Sequence, residues 1–352
     1  MDKAEILRRV QQAEPVIAQD LSDMDLTGAD LSATVFERCR LVGTRMDRSD
    51  LTDARFIACH FERTSLNECN ASGTAFSGSR FERVAMANAA LTSTSFTGCD
   101  IDSLALSESR LDFVNFSKTD LRQVIFRGAV LRKTTLADCT VGKLDLSDAS
   151  LDRAVFLECD LRQSTFSRAS FSTAVFIKSN LAGLDFAQQA FLHVQFMGAD
   201  LTGCNFSKAT LGKANFQGAK LPGAVFDDAQ APNAIFMEAD LVNASFHRAH
   251  LRQALFVGAR AHGASFRLAD LYQSNWVGAE LVDADLTGCD LTYADFSRAD
   301  LTGADVRDAS MFRANLHGVT DPGARYTDRM RALDSDPELL AAERWRPVEL
   351  AA

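Results

Sequence analysis

The chain has 352 residues, of which 47% are apolar, a composition that can bury a large core and argues against disorder. Its formal net charge of -10 disfavours non-specific binding to nucleic acid or to an anionic membrane. The sequence contains no run of about 18 apolar residues, so we expect no transmembrane helix and no membrane partner. Its first residues, MDKAEILRRVQQAE, carry charges every few positions, so we also expect no secretory signal.

The first predicted element is a short helix near the N-terminus. Ile6, Leu7 and Val10 share one helical stripe that ends before Pro15. We therefore assign residues 1–18 to an N-terminal helical segment.

Residues 19–318 repeat with a strict period of five. An apolar residue occupies every position numbered 5n+1 from Leu21 to Leu316, which makes sixty consecutive pentads without an insertion. Two residues before these centres, fifty of the sixty residues are Ala, Ser, Thr or Cys. Neither a helical period of about 3.6 nor a strand period of two produces this pattern. A period of five needs a chain that turns inward once per pentad, which is typical of a β-solenoid.

A longer period of twenty residues is visible in the choice of centre. In the series that starts at Phe36 and continues every twenty residues, Phe occupies twelve of fifteen positions, whereas the series that starts at Leu21 has only two. Seventeen of the twenty glycines lie two residues after a centre, at a corner whose backbone angles Gly adopts without steric cost. The pattern indicates a coil of about twenty residues.

This repeat resembles the pentapeptide-repeat family, whose motif reads roughly A(D/N)LXX. The motif is clear in GADLTGCNFSKATLGKANFQGA (198–219) and in GCDLTYADFSRADLTGAD (288–305), and the resemblance covers residues 19–318. It implies an all-β solenoid, a right-handed quadrilateral parallel β-helix of about fifteen coils with one pentad per side. With the helices predicted from the sequence, the fold has short α-helical segments at both ends.

After the last pentad, residues 319–352 form a C-terminal helical tail. Asp336 followed by a proline is the N-cap and first-turn pattern of a helix. Because open solenoid ends expose unpaired strand edges, we expect both helical segments to act as caps. The alternative for the tail is dimerisation through Leu339, Leu340 and Trp345.

No residue pattern indicates catalysis, a metal site or a cofactor. All eight cysteines occupy the small inward site and are interpreted as apolar filler, with free thiols that suit a cytoplasmic protein. They are Cys39, Cys59, Cys69, Cys99, Cys139, Cys159, Cys204 and Cys289. The close pair His247 and His250 has no third ligand at a metal-binding spacing. Phosphate-loop, GxSxG and HExxH motifs do not occur, so we predict a protein that is not an enzyme.

One outward side of the solenoid is apolar. The residues that flank its centres are predicted to bind a partner, and they are Val155, Leu157, Val175, Ile177, Met197, Ile235, Met237, Leu255, Val257 and Val277. Another side, centred on Leu161 to Leu281, has mostly polar flanking residues. An apolar strip over several stacked coils is larger than the patches usual on a soluble monomer. The alternative explanation is strand propensity, since Val and Ile favour strands whether or not they bind anything.

The last coils are acidic. Nine acids occur between residues 270 and 308 against Arg298 and Arg307, and they are Asp270, Glu280, Asp283, Asp285, Asp290, Asp295, Asp300, Asp305 and Asp308. The family motif places Asp before the centre, so a solvated face is one interpretation. The other is DNA mimicry, because some proteins of the family that this chain resembles bind DNA gyrase with an acidic surface and confer quinolone protection.

These features predict a non-enzymatic scaffold or adaptor that binds another protein of unknown identity. A homodimer through the C-terminal tail or the apolar side is an alternative. The resemblance leaves two further alternatives, a DNA-mimicking gyrase-binding protein and an accessory protein of a bacterial secretion system. We expect a bacterial, cytoplasmic protein without nucleic-acid partners.

Overall fold

The computed structural model describes residues 2–345. The chain forms two compact units, Met1–Leu181 and Ala182–Ala352. Both are parallel β-solenoids, and the two together contain about 16 turns. This confirms the predicted fold class. Among residues 2–345, no helix has the length and apolar character needed to cross a membrane.

The first unit begins with the predicted helix, α1 (Lys3–Gln11). Asp2 is its N-cap, and the Oδ1 atom of Asp2 accepts a hydrogen bond of 2.9 Å from the backbone N–H of Glu5. This bond satisfies one of the N–H groups that a helix start leaves unpaired. Ile6 is fully buried, so the apolar stripe of α1 faces the solenoid.

The rest of the first unit consists of very short strands. They are β1 (Val16–Ile17), β2 (Val35–Glu37), β3 (Arg40–Val42), β4 (Arg55–Ile57), β5 (His60–Glu62), β6 (Ala75–Ser77), β7 (Arg80–Glu82), β8 (Val84–Ala85), β9 (Ser95–Thr97), β10 (Asp100–Ile101), β11 (Leu104–Ala105), β12 (Asn115–Ser117), β13 (Asp120–Ile125), β14 (Thr135–Ala137), β15 (Thr140–Asp145), β16 (Ser150–Asp152), β17 (Val155–Leu157), β18 (Ser170–Ser172) and β19 (Val175–Ile177). Each pairs in parallel with a strand one turn away, as β2 does with β4 through the register Phe36↔Phe56. The twenty-residue turn predicted from the Phe series is therefore the observed one.

One corner of the first unit is straightened. Strands β13 and β15 each run through the position where other pentads turn, and Gln123 pairs there with Lys143. A Cβ atom added to Gly142 would lie 2.4 Å from the carbonyl oxygen of Arg122, so only Gly allows this close approach. The pentad count is unbroken in the sequence, yet the local backbone departs from the repeat.

In the second unit, most turns pair through single parallel bridges. Its two-residue strands are β20 (Phe191–Leu192), β21 (Asp305–Val306) and β22 (Arg325–Tyr326), of which β21 and β22 pair with each other. A 3₁₀ helix, Arg329–Arg331, and the predicted second helix, α2 (Pro337–Arg344), follow. The pairing of β21 with β22 and the bridge Asn315↔Leu333 extend the ladder past the last pentad.

The interior is a stack of aromatic rings between rows of small residues. In the second unit, Phe236 lies parallel to Phe216 and Phe256, with centroid distances of 4.8 and 5.0 Å. Trp276 continues this row, and its indole N–H donates to the Oγ atom of Ser274 at 2.8 Å. Ser replaces the usual Ala at this small site because a buried indole N–H needs an acceptor.

The corners have left-handed backbone angles, as the glycine positions predicted. Gly278 has φ of 67°. Non-glycine residues adopt the same conformation at other corners, for example Lys208 with φ of 58°. Because such a conformation costs most residues of order 1 kcal/mol, stacking against the next turn must hold it in place.

Candidate functional site: the outward apolar strips

The apolar strip of the first unit consists of Val155, Leu157, Val175 and Ile177. Strands β17 and β19 pair so that Val155 lies beside Val175, and Leu157 lies beside Ile177. The inward residues between them, Phe156 and Phe176, stack with a centroid distance of 5.0 Å. All four strip residues are half-buried, because each is covered in part by its neighbour on the next turn.

The apolar strip of the second unit consists of Met197, Ile235, Met237, Leu255, Val257 and Val277. Ile235 and Leu255 form a parallel bridge, and the carbonyl oxygens of Val257 and Val277 accept corner N–H bonds of 2.9 and 3.0 Å from the preceding turn. These six residues are also half-buried. The structure thus places every predicted strip residue on the outside of its unit.

A row of glycine corners borders the second-unit strip. These corners include Gly218, Gly258 and Gly278. Each directly follows an outward residue of the same side, as Gly258 follows Val257 and Gly278 follows Val277. A Cβ atom added to Gly218 or Gly278 would meet no atom within 4 Å. The backbone beside the strip is therefore open to close approach.

The polar side of the second unit differs in chemistry. Arg260 lies 3.7 Å from Asp240 and 4.0 Å from Glu280, and His262 contacts Glu280 at 2.8 Å. These polar side chains pair with one another across turns. The apolar character is therefore a property of one side and not of all outward positions.

Several large apolar residues of the solenoid turns lie outside the predicted strips and are more exposed than the strip residues. Phe113, Leu192, Leu268, Tyr293 and Phe312 are between 42% and 57% exposed. In the second unit, Tyr272, Tyr293 and Phe312 stack edge to face on successive turns, and the Arg252 guanidinium lies 4.1 Å from the Tyr272 ring centroid. The sequence did carry a signal, namely aromatic residues one or two positions after a centre.

The nine acidic residues do not form one face. They precede or follow centres on all four sides of the second unit, for example Asp285 before Leu286 and Asp295 before Phe296. Six of them accept the backbone N–H two residues later, and these six are Asp270, Asp285, Asp290, Asp295, Asp300 and Asp305. Local turn formation accounts for these carboxylates.

Several of these acids are also neutralised by neighbouring cations. Arg307 and Arg325 contact Asp305 at 2.7 and 2.8 Å. Hydrogen bonding from Arg307 lowers the pKa of Asp305 to about 2. Asp270 and Asp285 lie 3.3 Å from Arg252 and Arg267 respectively.

The cysteines lie where the repeat predicts them, and they also form hydrogen bonds. Among the described residues all eight are free thiols, and only Cys139 is less than fully buried. The Sγ atoms of Cys59 and Cys99 donate to carbonyl oxygens 23 residues earlier, each at 3.4 Å. Burial raises the pKa of the Cys69 and Cys204 thiols to about 12, so both stay protonated. Ser and Thr at the same site also donate to the carbonyl oxygen 23 residues earlier, as Thr44 and Ser79 do. Ala has no side-chain donor and forms no such bond.

The structure brings together one group of residues that sequence reasoning missed. The ligand atoms of His60, Glu62 and Glu82, from adjacent turns of the first unit, lie within 4.8 Å of one another. However, Arg63 and Arg80 each contact one of these carboxylates at 2.6 Å. Because these guanidinium groups already neutralise the two glutamates, the group has little free charge with which to bind a cation.

The C-terminal helix packs against the side of the second unit. Glu343 of α2 forms a salt bridge with Arg298, and its other carboxylate oxygen lies 3.3 Å from Nε2 of His317. Leu340 reaches the corner at Gly318, where its Cδ1 atom lies 3.8 Å from the position of an added Cβ. Leu339 and Trp345, predicted as dimer contacts, are 50% and 71% exposed.

Solenoid turns of twenty residues, aromatic stacks inside and variable residues outside define a repeat protein whose surface is set by its outward positions. Models of pentapeptide repeats match residues 20–53, 179–218, 191–236, 211–247, 234–273 and 279–318. A model of the pentapeptide repeat region matches 47–116, 79–156 and 114–186. The chain therefore belongs to the pentapeptide-repeat family.

Solved structures of the same kind are similar to this chain, though at low overall superposition. A pentapeptide repeat protein from the Arabidopsis thaliana thylakoid lumen is 28% identical over 31% of this chain and 69% of its own, with a TM-score of 0.23. QnrB1, a plasmid-mediated fluoroquinolone resistance protein, is 20% identical over 71% of this chain and 96% of its own (TM-score 0.22). HetL from the cyanobacterium Nostoc, a protein involved in heterocyst differentiation regulation, is 21% identical over 86% of this chain and 96% of its own, with a TM-score of 0.14. No curated protein matches the chain.

Proposed function

We propose that this protein is a non-enzymatic interaction protein, a scaffold or adaptor that binds a partner protein through its apolar strips. The observation that carries the proposal is the one-sided chemistry of the surface. On one side of each unit, outward Val, Ile, Leu and Met residues lie on neighbouring turns, from Val155 to Ile177 in the first unit and from Ile235 to Val277 in the second, whereas the polar side of the second unit carries ion pairs such as Arg260 with Asp240. Strand propensity alone would not restrict apolar residues to one side.

The free energy that binding can gain comes from the apolar surface that the strip residues still expose to water. A half-buried Val or Ile still presents a methyl surface to water, and covering apolar surface yields about 25 cal/mol per Å². A stable interface buries roughly 800 Å² on each partner, so the partner must also touch residues beside the strip. In the second unit, the glycine corners at Gly218 and Gly278 provide that room, because nothing projects from them.

The test changes one strip residue in each unit. Ile177→Asp and Val257→Asp each place a carboxylate among apolar neighbours, so each should lower the free energy of unfolding by about 1 kcal/mol. Binding should fall far more, by several kcal/mol, because an unpaired charge would face the apolar surface of the partner. Val242→Asp is the matched control, since Val242 is a half-buried outward Val on the polar side.

The measurement starts by identifying the partner by affinity capture and mass spectrometry, and continues by titrating the purified partner against each variant. We expect Val242→Asp to bind like the parent and the double variant Ile177→Asp, Val257→Asp to lose binding. If the double variant binds as tightly as the control, the strips are only strand-forming residues and the proposal is wrong.

A further inference from the structure

A row of hydrogen-bonding residues lies at one inward corner of the first unit, with one residue on each of eight successive turns. This corner row consists of Cys39, Cys59, Ser79, Cys99, Thr119, Cys139, Cys159 and Ser179. Each side chain donates to the carbonyl oxygens 23 and 2 residues earlier, as Ser179 does to those of Phe156 and Ile177 at 3.1 and 3.5 Å. Because they share these acceptors, the side chains have the same orientation and stack along the solenoid.

Two pairs of thiols lie on adjacent turns of the corner row. Cys39 stacks on Cys59, because the backbone N–H of His60 donates to the carbonyl oxygen of Cys39 at 2.9 Å and places the two turns in register. Cys139 stacks on Cys159 in the same way, since strands β14 and β17 pair directly before them. The other four cysteines have Ala, Ser, Thr or Leu at the equivalent positions one turn away. The eight thiols therefore form two pairs and four single groups.

The two sulfur atoms of a pair are separated by about one turn. The Sγ atoms of Cys39 and Cys59 contact equivalent carbonyl oxygens, those of Val16 and Phe36, at 3.2 and 3.4 Å. Because the side chains have the same orientation, the distance between the sulfurs repeats the strand spacing of about 4.8 Å. A disulfide bond would need sulfurs about 2.05 Å apart, so both thiols would have to leave their acceptors. Two metal–thiolate bonds of about 2.3 Å in a line span about 4.6 Å, which matches the spacing.

The surroundings of the pairs suit a metal complex without net charge. Cys39, Cys59 and Cys159 are at most 2% exposed, and no Asp, Glu, Lys, Arg or His occupies an inward position of the pentads. Two thiolates balance the charge of a divalent ion, and an apolar interior favours such a neutral site. The hydrogen bond with Cys59 lowers the pKa of Cys39, which eases the loss of its proton. Cys139 is less than fully buried, which gives an ion a route to the second pair.

We propose that each thiol pair binds one soft divalent metal ion that takes two ligands in a line, as Hg(II) does. Thiolates are the ligands that soft metal ions prefer. On binding, two S–H bonds break, two metal–sulfur bonds form and two protons pass to water, without a change of oxidation state. Zn(II) does not fit, because it takes four ligands and a pair offers two. The inference does not rest on the proposed function, since the pairs lie inside the solenoid and the apolar strips lie outside.

The test is a titration of the reduced full chain with mercuric chloride in an excess of N-acetylcysteine. This monothiol competes with single cysteines, whereas a pair supplies both ligands from one molecule and should retain the ion. The absorbance of the thiolate–mercury bond follows binding, and the bound mercury is counted after gel filtration. We expect two ions per chain, and an excess of Zn(II) should displace neither. A chain that retains no mercury, or that loses it to Zn(II), would overturn the proposal.

Serine variants locate the two ions. Cys59→Ser and Cys159→Ser should each retain one ion, and the double variant should retain none. Both should fold, because Ser79 and Ser179 occupy the same corner row and form the equivalent hydrogen bonds. Cys99→Ser is the matched control, since it removes a single thiol from this row and should still retain two ions.

Two results would contradict the assignment of the pairs. One is a Cys99→Ser variant that loses as much mercury as Cys59→Ser, or a double variant that loses none. The other is a disulfide between the members of a pair, mapped by mass spectrometry after air oxidation without metal, because the sulfurs would then not be held one turn apart. Circular dichroism of each variant shows whether the solenoid has folded.

Discussion

Truncating one ring of the aromatic stack should destabilise the second unit strongly. Phe236 is fully buried, stacks on Phe216 and Phe256, and meets Phe226 and Phe246 edge to face at 5.7 and 5.6 Å. Phe236→Ala leaves a cavity that the neighbouring turns cannot close, because the ladder of backbone hydrogen bonds fixes their spacing. A buried Phe→Ala change costs about 3–5 kcal/mol, and the loss of four ring contacts places this one near the upper end.

The matched control is Phe312→Ala, the same substitution at an outward position. Phe312 is 47% exposed and makes one edge-to-face contact with Tyr293, so its removal should cost less than about 1 kcal/mol. Urea unfolding followed by the fluorescence of Trp276 reports on the second unit. Trp276 is fully buried, whereas Trp345 is 71% exposed and its emission should change little. Similar losses of stability in the two variants would refute the assignment of inward and outward positions.

Three further predictions concern the corner, the acids and the DNA-mimic alternative. In thermal unfolding, Gly142→Ala should lower the free energy of unfolding by about 2 kcal/mol, since the new Cβ atom would clash with the carbonyl oxygen of Arg122. Gly278→Ala should lower it by only about 1 kcal/mol, because the Cβ atom there meets open space and only the left-handed backbone angle is unfavourable. The pKa of Asp305 is lowered to about 2, so the pair with Arg307 stabilises the fold above about pH 4 and is lost as the pH falls toward 2. Asp305→Asn should therefore be less stable than the parent at neutral pH and equally stable near pH 2, and a constant difference would contradict this. In a gyrase supercoiling assay at low salt we expect no inhibition at micromolar protein, because the acidic residues encircle the second unit and mostly form turns; inhibition that salt abolishes would favour mimicry.

The sequence alone determined the architecture of this protein. A period of five with charge-free inward positions has only one way to bury its apolar residues, and the Phe series sets the turn at twenty residues. Both helices could also be predicted, α1 from the apolar stripe of Ile6, Leu7 and Val10, and α2 from Asp336, an N-cap whose side chain accepts from the backbone N–H of Glu338. These features depend on contacts that repeat or that are local, so the pattern of residues specifies them.

Only the tertiary structure decided which outward residues meet. In the tail, Tyr326, Met330 and Leu333 have the i, i+4, i+7 spacing of a helix. Tyr326 nevertheless lies in β22 and Leu333 pairs with Asn315, because the exposed ladder edge offers backbone hydrogen bonds. The proximity of His60 to Glu82 likewise depends on the stacking of two turns.

The position of α2 against the second unit could not be predicted from the sequence for the same reason. The position of α2 depends on the salt bridge between Glu343 and Arg298, which lies 45 residues earlier in the chain. The five-residue period determines whether a side chain points inward or outward. Which outward side chains contact each other depends on the stacking of residues about one turn apart in the chain and on the path of the tail. Those distances in space leave no periodic mark in the sequence.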